Sequence, residues 1–142
     1  MNIEHFKLSL ALMERVRDEE MPFRIQFWFT RWFDRADIVD GNGNPNHPCG
    51  FAACVAGHMA ADPAHNELGF VMSTYAPFEP IYRPTDRDCY SAIQDFWDCT
   101  SNQARNICSP QAYSDRDPSI HEVINRMKNM LAEHTKMAEE PA

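Results

Sequence analysis

The run Phe51-Ala52-Ala53-Cys54-Val55-Ala56-Gly57-His58-Met59-Ala60-Ala61 carries very little side-chain bulk. Six of its eleven residues are alanine or glycine. Helices approach one another only as closely as their contacting side chains allow, so a lean helix lets neighbouring backbones come close. The sequence therefore predicts a helix over 51–61, wedged at the centre of a helical bundle. Asp62-Pro63 ends it, because proline has no amide proton for the ladder. Cys54 and His58 are four residues apart and so share one face. Cys49 falls just before the first turn, where unpaired amides favour negative charge.

The flanking chain supplies the rest of the bundle. Ile3, Phe6, Leu10 and Met13 recur at helical spacing, with Leu8, Leu12 and Val16 as a second row. A first helix over 2–19 is expected, capped by Asn2 and closed by Pro22. Residues 23–33 hold Phe23, Phe27, Trp28, Phe29, Trp32 and Phe33, and read as an extended segment running into a helical turn. These rings serve either as core anchors, the better reading for a small domain, or as an aromatic binding surface presented by Trp28 and Trp32. Residues 34–50 read as a long loop. Asp40, Asn42 and Asn44 look like the start of a calcium loop, but Pro45 and Phe51 occupy the glycine and glutamate positions, which rules that pattern out.

Phe70–Thr74 and Phe78–Tyr82 can pair as a β-hairpin, a reading that Pro80 either weakens or places at a sheet edge. Helices follow over 86–98, over a short segment from the capping box Thr100-Ser101-Asn102-Gln103 to Pro110, and from Asp117-Pro118 onward. The last carries the stripe Ile120, Val123, Ile124, Met127 and Leu131, and is expected to fray past His134. The fold expected is mainly α with some β: a compact bundle of about five helices around the small-residue helix, plus a short hairpin. Residues 1–134 form one domain and 135–142 a flexible tail.

Composition narrows the function classes. The chain has 142 residues, enough for one domain with its own core. With 44% hydrophobic and 24% charged residues it is globular rather than disordered. A formal net charge of −8 repels a phosphate backbone and argues against nucleic acid as a partner. Five cysteines, an odd number, without a secretory signal or a membrane-length apolar run, point to free thiols in a reducing cytoplasm.

The ordered motifs Cys49-Gly50, Cys54, Gly57-His58, Ile81-Tyr82, Phe96-Trp97-Asp98-Cys99-Thr100, Gln103-Ala104 and Pro118 through Leu131 resemble those of a group of small, functionally uncharacterised proteins encoded by bacteriophages and prophages. The resemblance spans residues 27–132. It departs at Phe51, where the group has threonine, and at Cys99, where it has an apolar residue. It implies a phage setting, hence the host cytoplasm, and supplies no catalytic residues.

Three chemistries compete for the motif. His47, Cys49, Cys54 and His58 are zinc-ligand types, but all four come from one loop–helix junction, which is cramped for a tetrahedral site. Cys49-Gly50 at a helix start resembles the nucleophile of papain-like hydrolases, where the helix lowers the thiol pKa. Such an enzyme needs a later histidine held by an acid or amide. Only His65, His121 and His134 remain outside the motif helix, and spacing alone assembles no Asp–His pair. The third reading is structural, with Cys54 a small buried hydrophobe and His58 hydrogen-bonded at the core edge.

The sequence thus favours a non-catalytic accessory protein without cofactor or metal. It would bind a host or defence protein, or a small ligand, near His47, Cys49, His58, Trp28, Trp32, Arg83 and Arg87. The alternatives are a cysteine hydrolase using Cys49 and a nucleotide-binding sponge using Arg83, Arg87 and Arg105.

Overall fold

A computed structural model describes residues 1–21, 55–73, 80–109, 112–114 and 118–139. The expectations for the aromatic segment 23–33, the loop 34–50, the start of the motif helix at 51–54 and the hairpin turn at 74–79 lie outside the described residues. So do His47, Cys49, Cys54, Trp28 and Trp32.

Among the described residues there are six helices and three strands, in the order α1 (Ile3–Asp18), α2 (Val55–Ala61), α3 (Pro63–Glu67), β1 (Phe70–Met72), β2 (Pro80–Tyr82), β3 (Arg87–Asp88), α4 (Cys89–Trp97), α5 (Ser101–Cys108) and α6 (Ile120–Glu139). The architecture is mainly helical, as the sequence predicts. The lean helix α2 is buried at every position from Val55 to Ala60, and it packs against α1, α3, β1 and β2. α1 lies along α6, and α4 against α5, β2 and β3. Phe6, Met13, Met59, Phe70, Phe96, Trp97, Ile107 and Met127 fill one shared core.

Local chemistry explains the boundaries. Asn2 caps α1 by accepting the His5 amide at 3.0 Å. The C-terminus of α1 closes as a Schellman turn: Met21 N–H reaches Val16 O at 2.9 Å and Glu20 N–H reaches Arg17 O at 3.2 Å. Glu20 takes the left-handed conformation there, with φ of 52°. α5 begins at a complete capping box, Gln103 N–H to Thr100 Oγ1 at 3.1 Å and Thr100 N–H to Gln103 Oε1 at 2.9 Å.

The hairpin forms with register Phe70–Tyr82, Val71–Ile81 and Met72–Pro80. Pro80 stands at the first residue of its strand, a position that proline tolerates. Four features differ from the sequence reading. A short helix, α3, follows directly on α2, and β2 is the central strand of the sheet rather than an edge. A third strand, Arg87–Asp88, adds antiparallel to β2 and shortens the expected helix over 86–98 to α4. The last helix begins at Ile120 rather than Pro118, because Ser119 Oγ accepts the Glu122 amide at 3.3 Å and caps it. Its backbone stays helical to Glu139.

Candidate functional site

The buried face of α1 carries Phe6, Leu10 and Met13, and among them one hydroxyl, Ser9. A fully buried polar group must find partners, and Ser9 finds three. Trp97 Nε1–H donates to Ser9 Oγ at 2.9 Å. Ser9 Oγ lies 2.9 Å from His65 Nε2 and 3.2 Å from the His5 carbonyl, so its single proton has two acceptors within reach. His65 in turn places Nδ1 2.6 Å from Asp62 Oδ2.

Asp62 reaches this position through a short rule of helix chemistry. It ends α2 and caps α3, accepting the His65 backbone N–H at 3.3 Å while Pro63 occupies the first helical position. The same three-residue spacing that brings the His65 amide to the carboxylate brings its ring there too. Asp62 Oδ1 then meets Arg15 Nη2 of α1 at 3.3 Å. A continuous polar chain thus runs Arg15–Asp62–His65–Ser9–Trp97, tying α1, α3 and α4 together.

The partners fix the protons. Asp62 accepts, so neutral His65 carries its hydrogen on Nδ1 and accepts the Ser9 hydroxyl at Nε2. Burial lowers the His65 pKa below the ordinary histidine value, against the opposing hydrogen bond and charge of Asp62. Around it, Phe96 contacts two imidazoles. The His5 ring stacks on Phe96 at 4.2 Å, and the His65 ring tilts against it at 5.3 Å. His5 Nδ1 donates to the Phe96 carbonyl at 2.7 Å and Asn2 N–H donates to the Trp97 carbonyl at 2.7 Å, which closes the C-terminal end of α4.

Serine, histidine and aspartate in this order are also the order of a hydrolytic triad. The environment is the opposite of a catalytic one. Ser9 and His65 are both 0% exposed. The Ser9 oxygen already accepts the Trp97 indole N–H. A nucleophile must reach a carbonyl carbon, and this one is enclosed, so the chain of groups acts as a polar brace. Spacing alone assembled no Asp–His pair in the sequence; in the fold Asp62 and His65 do pair. The signal for that pair was a capping aspartate with histidine three residues on; nothing local links either residue to Ser9.

The acid end of the brace opens onto the surface. Leu12, Arg15, Glu19 and Met21 of α1 and its terminal turn face His58, Ala61, Asp62 and Pro63 across a cleft of ≈ 300 Å³. His58, singled out in the motif, is therefore 4% exposed and lines this cleft. Arg15 is half exposed at its mouth, with 54% of its side chain accessible.

The other sequence candidates are scattered. Arg83 is exposed in the turn between β2 and β3. Arg87 pairs with Asp95 at 3.1 Å, and Asp95 also accepts Thr85 Oγ1 at 2.7 Å. Arg105 lies over the Tyr90 ring at 5.7 Å. None of these arginines lines the cleft. His121 is exposed on α6 and His134 half-buried there. Burial pushes the Cys99 thiol up to about 11, so it is a poor nucleophile. Among the described residues no group of three or more His, Cys, Asp or Glu side chains is placed to hold a metal ion. The zinc set His47, Cys49, Cys54 and His58 lies outside that statement except for His58. Among the described residues no helix is long and apolar enough to cross a membrane.

No protein-family model, curated protein or solved structure matches the chain.

Proposed function

We propose that the chain is a non-catalytic binding protein of the phage accessory type, and that it takes a small ligand in the cleft between α1 and the α2–α3 junction. The observation that carries this reading is the cleft itself. It has an apolar floor from Leu12, Met21, Ala61 and Pro63, a few polar groups from Arg15, Glu19, His58 and Asp62, and a wall fixed from behind by the buried brace. Small-molecule sites have this composition, and ≈ 300 Å³ sits at the low end of their range.

A small ligand is favoured over a host or defence protein by the cleft, which is concave and lined by both apolar and polar groups. Among the described residues Leu68 is the exposed large hydrophobic, at 41%, and one such residue makes no apolar docking patch. A nucleotide is disfavoured because Arg83, Arg87 and Arg105 stand away from the cleft. The phage setting rests on the motif order. The cysteine hydrolase built on Cys49 stays the alternative, and turnover abolished in a folded Cys49→Ser variant would favour it.

The test uses Ala61, which lines the cleft at the end of α2. Purified chain and an Ala61→Phe variant are heat-denatured, and the released small molecules are identified by mass spectrometry. A species near one per chain, retained by the parent and lost by the variant, supports the reading. Equal content in both, or turnover dependent on Cys49, sinks it.

A further inference from the structure

Resting on that cleft reading, we infer that its ligand is a small zwitterion with an apolar body, a free α-amino acid or a close chemical relative. The carboxylate meets Arg15, the ammonium meets Glu19, and the side chain lies on Leu12, Met21 and Pro63.

The argument starts from spacing. Arg15 in the last turn of α1 and Glu19 at its C-cap are four residues apart, so their side chains stand on one face, roughly 5–6 Å apart at Cβ. Such a pair often closes on itself. Here Arg15 reaches across the cleft to Asp62 instead, through a single contact from Nη2 at 3.3 Å. Its Nε and Nη1 have no protein partner among the described residues, and neither has the Glu19 carboxylate. Asp62 already accepts three hydrogen bonds. Oδ1 takes Arg15, and Oδ2 takes both the backbone N–H and the ring Nδ1–H of His65. Its charge is thus shared between the Arg15 guanidinium and the His65 amide and ring, and it anchors the guanidinium.

Among the described residues, the groups at the mouth with no protein partner are thus the remaining guanidinium N–H donors and the Glu19 carboxylate, a turn apart, beside the apolar lining of Leu12, Met21, Ala61 and Pro63. The carbonyl end of α1 is its negative end, which adds attraction for an ammonium group beside Glu19. A ligand with only a carboxylate would meet Glu19 and that helix end unfavourably. A ligand with only an ammonium would meet Arg15. A ligand carrying both charges at α-amino-acid spacing satisfies both groups. The buried chain Asp62–His65–Ser9–Trp97 holds Arg15 through its anchor, so little ordering remains to be done on binding.

Three probes sharing a branched apolar tail decide the matter: leucine, isovalerate and isoamylamine. Each is titrated at neutral pH into isotopically labelled chain, and amide shifts are followed by NMR. The expected result is that leucine moves amides from Leu12 to Met21 and from His58 to Asp62, and binds about fivefold tighter than either single-charge probe. Glu19→Gln should bring leucine down to the level of isovalerate, and Ala61→Phe should abolish all shifts. Glu19 is exposed and its amide is isosteric with the carboxylate, so this variant keeps the fold.

Equal binding of all three, or a single-charge probe binding best, overturns the zwitterion inference and leaves the cleft as a site. No binding of any probe, with a co-purifying molecule still lost in Ala61→Phe, overturns the inference alone. No binding of any probe and no difference in Ala61→Phe overturns both.

Discussion

Ser9 and His65 are 56 residues apart in sequence and 2.9 Å apart in the core, Oγ to Nε2, with neither side chain exposed. That one hydrogen bond joins the first helix to the short third helix. Ser9→Ala would remove it and also leave the Trp97 indole N–H without its acceptor. Two buried polar atoms would lose partners at once. The expected loss is about 1–3 kcal/mol of unfolding free energy, read by urea denaturation. Because the serine is enclosed, a fluorophosphonate probe should leave Ser9 unmodified in the folded protein. Rapid labelling there would show that the brace opens to substrate.

The sequence made parts of this structure readable and hid others for physical reasons. Asn2, Thr100 and Gln103 act within three residues of themselves, so their caps follow from spacing. The lean composition of α2 likewise announces close packing, and Val55, Ala56 and Met59 are fully buried. Asp62–His65 was half legible: an aspartate before proline signals a helix start, although Asp62-Pro63 reads first as a helix end. Its partner Ser9 was not legible, since nothing local links residues 9 and 65. The cleft was hidden for the same reason. His58 is a local signal, but Arg15 and Asp62 meet only after α1 folds against α2. β3 was missed because Arg87–Asp88 is exposed and too short for any alternation to show.

Ala56 tests the central helix. It is 0% exposed within α2, with α1, β1 and β2 packed around that helix. Ala56→Leu inserts three carbons where backbones lie close, and should cost about 1–3 kcal/mol or more through overpacking. Thermal melting is the check, and a wild-type-like transition would mean that α2 is not tightly enclosed.

Glu20 offers a change in the opposite direction. It sits at φ of 52° in the Schellman turn after α1, a conformation that strains a side chain with a Cβ. Glu20→Gly should stabilise the chain by about 0.5–1 kcal/mol, after the extra entropy of glycine in the unfolded state is offset. The two capping bonds, Met21 to Val16 and Glu20 to Arg17, are backbone bonds and survive the substitution. A lower melting temperature in the glycine variant would count against this turn geometry. The position also sits beside Met21 in the cleft wall, so a firmer turn should not weaken ligand binding.

His65 sets a pH dependence whose sign follows from its burial. The groups that face it are Asp62 on its own helix, Ser9, His5 and Arg15 on α1, and the Phe96 ring on α4. Desolvation dominates, so the folded-state pKa lies below the ordinary value of about 6.5 held in the unfolded chain. Below that value the unfolded chain therefore binds more protons than the folded one. Stability from this residue is fully present above about pH 6.5 and is lost as pH falls from there through the lowered folded pKa. The slope approaches about 1.4 kcal/mol per pH unit while only the unfolded form is protonated. Once the folded form also takes a proton the loss levels off. The brace tolerates that state, because Ser9 can turn its hydroxyl to the His5 carbonyl and accept from Nε2–H instead. His65→Gln keeps a donor toward Asp62 and an acceptor toward Ser9 but cannot titrate. Urea unfolding of both proteins from pH 7.5 down to 5 cancels the groups they share. The parent should lose stability below pH 6.5 relative to the variant, and parallel curves across that range would show that His65 is not held neutral in the core.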